Sequence, residues 1–143
     1  MNDKVRISAE DRLAIHELLA RSAYGYDHPD IVMLANCFSE EAKLTLRIAD
    51  GDIIGPFEPR DGIMKLITDS MAEQTDKRRH VISNIFFEES NDNHITVISN
   101  LTLLATEDNH TIVVSAGVYR DLVASMDEEW KIVERHLDLD KAY

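Results

Sequence analysis

The chain has one cysteine, Cys37, among its 143 residues, which excludes an internal disulfide framework. A lone cysteine suits a reducing compartment, so the sequence predicts a cytoplasmic protein. Cys37 lies in the apolar segment 33–38. We therefore interpret it as a buried structural thiol rather than as a nucleophile.

Long hydrophobic runs are also missing. No segment approaches the 18 or so consecutive apolar residues that a membrane-spanning helix needs. Residues 1–6 carry charges without an apolar run behind them, so they do not read as a signal peptide. The sequence predicts a soluble, untargeted protein.

Positive charge is scarce, with 15 lysines and arginines against 27 acidic residues and a net charge of −12. Such a chain repels phosphate backbones, so neither nucleic acid nor an anionic membrane is an expected partner. One short basic patch, Lys77-Arg78-Arg79, precedes His80. We interpret it as the solvent-exposed start of a strand. The alternative is that it attracts an anionic substrate.

Glycine and proline are few, at five and three residues, and the glycines stand singly. No glycine-rich phosphate loop and no G-x-S-x-G elbow occurs. The H-x-H, H-x-x-x-H and C-x-x-C spacings of metal sites are absent as well. We therefore predict no metal, no cofactor, and a single domain over residues 1–143 without a linker.

Helical spacing of apolar residues dominates the first half of the chain. Ser8 and Asp11 resemble a capping box, which opens a helix that Pro29 ends. A second helix is predicted from Asp30 and a third from Asp61-Gly62. The residues predicted to face inward are Ile15, Leu18, Leu19, Ala23 and Tyr26 in the first, Ile31, Leu34, Ala35 and Phe38 in the second, and Ile63, Leu66, Ile67 and Met71 in the third.

From His80 the period becomes alternating, which predicts strands over residues 80–88, 95–106, 111–123 and 130–139. Turn formers at 91–93, 107–109 and 126–128 separate them, so they form an antiparallel meander. A short strand over 43–48, preceded by a break at 39–41, leads into a hairpin turn at 50–52. Helices followed by a long antiparallel sheet predict an α+β fold, with a strongly curved sheet enclosing a pocket.

Strict alternation places His80, Ile82, Asn84 and Phe86 on one face of the first long strand, and Val81, Ser83, Ile85 and Phe87 on the other. Both faces are largely apolar. We therefore expect part of the outer face to be covered in a homo-oligomer, as a dimer or a trimer.

Several segments carry a family resemblance, with Gly25-Tyr26-Asp27 at the end of the first helix among them. The first half resembles SnoaL-like proteins of the cone-shaped nuclear-transport-factor-2-like superfamily, and the second half is similar to β subunits of aromatic-ring-hydroxylating dioxygenases. The matching segments are residues 11–21, 24–27 and 38–42, and then 79–84, 99–101, 116–121 and 130–136.

The resemblance implies an acid–base enzyme. Scytalone dehydratase and hexachlorocyclohexane dehydrochlorinase use an aspartate at the end of the first helix and a histidine at the start of a strand, which match Asp27 and His80. It therefore implies that His80 removes a substrate proton and that Asp27 orients it. The chain departs from them in two ways: His110 falls in a turn rather than at the dehydratase's second pocket histidine, and the dehydrochlorinase's pocket arginine has no clear counterpart.

A histidine held by a carboxylate suits proton abstraction next to a carbonyl or a leaving group. The predicted reactions are dehydration, isomerisation, elimination or cyclisation of a hydrophobic small molecule. Tyr24 and Tyr26 flank the same helix end and are candidate hydrogen-bond donors, and Asn84 is a candidate polar group of the pocket. Of Arg135 and His136, adjacent on the last strand, one faces the cavity, and the sequence leaves open which.

Three alternatives stay open. Asp27 and His80 form a structural pair only, the protein is a noncatalytic scaffold similar to a dioxygenase β subunit, or it is a small-ligand-binding module. Tyr24 and Tyr26 are equally consistent with a core position, and Asn84 with a structural amide.

Overall fold

The computed structural model describes residues 7–90 and 93–143. The expectation for residues 1–6 and most of the predicted turn at 91–93 therefore lie outside the described residues. The elements are α1 (Ala9–Asp27), α2 (Ile31–Asn36), β1 (Phe38–Ile48), β2 (Ile54–Phe57), α3 (Arg60–Glu73), β3 (Lys77–Ser90), β4 (His94–Glu107), β5 (His110–Met126) and β6 (Glu129–Leu139).

The predicted starts of the first two helices are confirmed by their caps, whereas α3 begins at Arg60, one residue before the predicted start, without a side-chain cap. The Ser8 hydroxyl accepts a hydrogen bond from the Asp11 N–H at 3.0 Å, and the Asp30 carboxylate accepts one from the Met33 N–H at 3.1 Å. These contacts satisfy N–H groups that a helix start leaves without a partner. The inward prediction for Ile31 is wrong, because its side chain is 39% exposed on the short helix α2.

The six strands form one sheet in the order β2-β1-β6-β5-β4-β3. The predicted meander from β3 to β6 is confirmed, and β2 returns antiparallel to β1 after the predicted turn. β1, however, lies parallel to β6. The predicted break at 39–41 is wrong, since these residues already belong to β1.

The helices cover one face of the sheet, with α1 against β3 and α3 against β1. The main core lies between them, and its fully buried members include Ile15, Leu19, Phe38, Ile63 and Ile132. This confirms the α+β class. Within the described residues, no helix is long and apolar enough to cross a membrane.

A β-bulge in β3 changes which residues face the core. The pairing with β4 passes from Ser83 to Phe86 while the partner strand advances by two residues, and Asn84 takes a positive φ of 55°. Asparagine tolerates this conformation better than most residues. After the bulge, Ile85 and Phe87 pack on the core and Phe86 is 54% exposed, so the predicted alternation is wrong beyond Ser83.

The outer face of the sheet carries exposed apolar side chains. Val81, Phe86 and Val118, on strands β3 and β5, are 42%, 54% and 40% exposed. β4 lies between these two strands. This is the apolar outer surface that the sequence predicts to be covered in a homo-oligomer.

Candidate active site

A cavity of about 260 Å³ lies between α3 and the inner face of the sheet. Its walls are mostly apolar and include Leu44, Leu46, Ile67 and Leu137. The polar side chains that reach it are Tyr26, Ser70, Gln74, Arg78, His80, Tyr119, Arg135 and Tyr143. The cavity therefore offers an apolar chamber with a limited set of polar groups, as small-molecule sites do.

Asp27 meets His80, which lines this cavity; Asp27 itself does not line it. Asp27 is the last residue of α1, and His80 is the fourth residue of β3. The His80 Nδ1 lies 2.7 Å from Asp27 Oδ1, and the His80 backbone N–H donates to Oδ1 and Oδ2 at 3.0 and 3.1 Å. A carboxylate only accepts, so Nδ1 carries the proton of this bond. Nε2 is then the ring nitrogen left for proton transfer.

Burial strengthens this pair. The side chains of His80 and Asp27 are only 9% and 8% exposed. Water competes little for their hydrogen bonds, and electrostatic attraction is stronger than it would be at the surface. The carboxylate can therefore hold the ring in one orientation and stabilise it when it becomes an imidazolium.

Tyr26 stacks on His80, with ring centroids 4.7 Å apart and planes inclined by 23°. Burial raises the pKa of Tyr26 to about 12, and the positive charge of Arg135 partly opposes that rise. The hydroxyl is therefore protonated at neutral pH and available as a hydrogen-bond donor.

A second buried ion pair reaches the same cavity through Arg135. Arg135 of β6 donates to Asp121 of β5 from Nε at 2.7 Å and from Nη2 at 3.1 Å, and its guanidinium lies 4.1 Å from the centroid of the Tyr119 ring. Burial is the largest single influence and lowers the pKa of Arg135, but the charge and hydrogen bonds of Asp121, together with Tyr119 and Tyr26, outweigh it and the pKa is raised. Burial likewise raises the pKa of Tyr119.

The sequence matches the family model described as "SnoaL-like domain" over residues 8–136. The chain belongs to the SnoaL-like family. No functionally curated protein matches the sequence significantly.

Solved structures similar to this SnoaL-like chain share its fold. A protein of Nostoc punctiforme with a cystatin-like fold has 21% identity over 95% of this chain and 96% of its own, with a TM-score of 0.78. Two proteins of Novosphingobium aromaticivorans are also similar. A provisionally named scytalone dehydratase has 21% identity over 91% and 84% of the two chains and a TM-score of 0.73. The β subunit of a provisionally named aromatic-ring-hydroxylating dioxygenase has 14% identity over 92% and 90%, with a TM-score of 0.78.

Two of the predicted pocket residues lie elsewhere in this SnoaL-like chain. Tyr24 is 50% exposed and stacks on His28 with centroids 3.9 Å apart, outside the cavity. One residue separates it from Tyr26, and that spacing turns the two side chains to different sides of the helix. Asn84 is exposed at the bulge of β3 and does not line the cavity, so its pocket assignment is wrong.

The structure answers the choice between Arg135 and His136. Arg135 lines the cavity, whereas His136 bonds Thr45 at 2.7 Å and Asp138 at 3.0 Å. A register shift between Leu122 and Val123 of β5 interrupts the alternation of β6 before Arg135. One signal in the sequence favours an inward Arg135, because this residue alternates with the apolar residues Leu137 and Leu139.

Arg78 is the member of the basic patch that reaches the cavity. It donates to Asp76 at 2.9 Å, and its guanidinium lies 5.0 Å from the centroid of the Tyr143 ring. The side chains of Arg78 and Asp76 are each 16% exposed. Since Arg78 has a carboxylate partner, its charge is already compensated at the cavity wall.

Proposed function

We propose that the chain is a cofactor-independent acid–base enzyme acting on a hydrophobic small molecule. His80 is the general base, and Asp27 orients it. The observation that carries the proposal is the contact of one Asp27 carboxylate with both the backbone N–H and Nδ1 of His80, a residue that lines a mostly apolar cavity. Membership of the SnoaL-like family supports it.

The chemistry follows from the assignment of the ring proton. With Nδ1–H donated to Asp27, the lone pair of Nε2 accepts a proton from a substrate carbon next to a carbonyl or a leaving group. The nearby carboxylate stabilises the imidazolium that results. Dehydration, elimination, isomerisation and cyclisation all begin with this step. The similarity to a provisionally named scytalone dehydratase supports dehydration among them.

The shared step can be tested without knowing the natural substrate. The α-protons of the neutral ketones 2-tetralone and 1-indanone exchange with D2O when a base removes them, and proton NMR follows the loss of signal. The wild type should accelerate exchange, and His80→Gln should lower the rate by about 10²-fold or more. His136→Gln is the matched control, because His136 lies outside the cavity.

Thermal unfolding of each variant shows whether the fold is intact. Wild-type exchange no faster than buffer, or an unchanged rate in a folded His80→Gln variant, contradicts the proposal. Ketone binding without exchange, with the same affinity in both proteins, supports the ligand-binding module instead.

A second candidate is a noncatalytic scaffold that associates through its sheet. The exposed Val81, Phe86 and Val118 favour it, as does the similarity to a dioxygenase β subunit. Sedimentation velocity should then show a dimer or a trimer that Phe86→Lys dissociates. A monomeric wild type contradicts self-association through this face. Because an enzyme can also be an oligomer, the exchange assay decides between the enzyme and the scaffold.

A further inference from the structure

Arg135 holds one hydrogen-bond donor that the fold does not use. Its side chain is 1% exposed, and Nε and Nη2 both bind Asp121. Nη1 is buried and makes no hydrogen bond of regular geometry among residues 7–90 and 93–143, although Tyr26 lies close enough for a side-chain hydrogen bond with Arg135 to lower the Tyr26 pKa slightly. A buried donor without a partner is unfavourable, and more so when it is charged. Since Arg135 lines the cavity, a bound molecule with an oxygen acceptor can satisfy Nη1.

We propose that Arg135 Nη1 binds the substrate oxygen that gains negative charge when His80 removes a proton, so that the substrate is a neutral oxo compound, a ketone or a phenol. The proposal rests on the proposed function, because it assigns the second end of the same proton transfer. The proton moves from the substrate carbon, or from a phenol oxygen, to His80 Nε2. The electron pair of a broken C–H bond forms the enolate, with its charge on the oxygen at Arg135.

The charges around the cavity favour a neutral substrate over a carboxylate. The cations of its wall each have a carboxylate partner, namely Arg135 with Asp121 and Arg78 with Asp76, and Asp27 is bound to His80. A carboxylate substrate would add a negative charge that none of the described arginines lining the cavity compensates, because each already has a carboxylate partner. A neutral oxo compound adds none, and after proton transfer the new imidazolium lies beside Asp27 while the new oxyanion lies beside Arg135.

Tyr26 links the two ends of the proposed reaction. Its ring stacks on His80, and Arg135 is the main charge that opposes the burial-induced rise of its pKa. Its protonated hydroxyl therefore adds a second donor near the guanidinium. This arrangement gives the developing oxyanion a cation and a neutral donor in a region with little water, where such donors act most strongly.

The probe for this proposal is 4-nitrophenol, whose visible absorption distinguishes the phenolate from the neutral phenol. At a pH where the free probe is mostly neutral, the wild type should bind it as the yellow phenolate, with the proton transferred to His80. Arg135→Lys keeps a cation beside Asp121 but loses the planar fork, and should weaken phenolate binding by about tenfold or more. Arg120→Lys is the control, because Arg120 is exposed on the same sheet and pairs with Glu88.

A wild type that binds 4-nitrophenol in its neutral form overturns the proposal, whether or not Arg135→Lys folds. Equal phenolate affinity in the wild type and a folded Arg135→Lys variant overturns it as well. The outcome is separable from that of the proposed function. If ketone exchange depends on His80 while the probe stays neutral, only the oxygen site fails. If the phenolate binds through Arg135 and no ketone exchanges, only the base chemistry fails.

Discussion

The carboxylate of Asp27 ties the end of α1 to the start of β3 through His80. Both carboxylate oxygens accept the His80 backbone N–H, at 3.0 and 3.1 Å, and Oδ1 also accepts Nδ1–H at 2.7 Å. The backbone contact fixes the position of the strand, and the ring contact fixes the orientation of the imidazole. One side chain therefore makes a structural contact and the contact on which the proposed function depends, and an experiment must separate the two.

Asp27→Asn separates them through its effect on rate. The amide oxygen can still accept hydrogen bonds from His80, but it carries no charge to stabilise an imidazolium. We expect ketone exchange to slow by about 10²- to 10⁴-fold with little change in KM, because the loss falls on the proton-transfer step. The loss of a charged acceptor in a buried pair should also lower the free energy of unfolding by about 1–3 kcal/mol.

The measurements are the NMR exchange rate at several ketone concentrations and urea unfolding. Asp30→Asn is the matched control, since Asp30 caps α2 and asparagine is an equally good cap. A wild-type exchange rate in Asp27→Asn would show that the Asp27 charge is not used.

The raised pKa of Tyr26 predicts that the free energy of unfolding declines at alkaline pH. Burial raises its pKa from 10.0 to about 12. Below pH 10 both the native and the unfolded state hold the proton, so its contribution is constant. Between pH 10 and about 12 the unfolded state loses the proton while the native state keeps it, and the free energy of unfolding falls as the pH rises.

Tyr26→Phe should make this decline less steep, as urea unfolding over the same pH range would show. A decline should remain, because burial also raises the pKa values of Tyr119 and Tyr143. Tyr24→Phe controls for the loss of a hydroxyl from the same helix, since Tyr24 is half-exposed. An identical slope in Tyr26→Phe and the wild type would count against the predicted contribution of Tyr26.

The sequence predicts the features of this fold that depend on local signals. Ser8 and Asp30 cap their helices as expected, and the turns at 108–109 and 127–128 hold positive-φ residues, of which Asp108, Asn109 and Asp127 are of types that hairpins use. The meeting of Asp27 and His80 is different. No spacing within one element brings them together, and only the family resemblance connected them.

The features that sequence reasoning missed depend on contacts between strands. A bulge at Asn84 reverses the faces of β3, and a register shift between β5 and β6 turns Arg135 inward. Alternation carried through the whole strand misses both, because one extra residue moves every later side chain to the other face, and only the alternation of Arg135 with the apolar residues that follow it hints at its inward position. The pairing of Arg135 with Asp121 was missed for the same reason, since the register sets it.

Gly25 has no room for a side chain where α1 passes α2. A Cβ there would lie 2.9 Å from Leu34 Cβ and 3.1 Å from Leu34 N. Gly25→Ala should therefore push the two helices apart and lower the free energy of unfolding by about 1–3 kcal/mol. Because Asp27 follows two residues later, the exchange rate should fall as well.

Gly62→Ala is the matched control for this change. Gly62 is also helical, and a Cβ there would meet its nearest atom only at 3.9 Å. Since alanine favours a helix over glycine by up to about 1 kcal/mol, this variant should be neutral or more stable. Urea unfolding compares the two. Equal stability of both variants would show that the contact with Leu34 relaxes without cost.

The buried pair of Arg135 and Asp121 predicts a non-additive pair of substitutions. Removing either partner leaves the other charge buried without compensation, so Arg135→Met and Asp121→Leu should each cost about 3–5 kcal/mol. The double variant removes both charges and should recover most of that loss, because apolar side chains can fill the same space. Urea unfolding of the four proteins gives the coupling energy. Additive losses would show that the two charges do not compensate each other.

The double variant should still fail to bind the 4-nitrophenolate, because it is stable but has no Nη1 donor. This result would separate the role of Arg135 in the fold from its proposed role in the cavity.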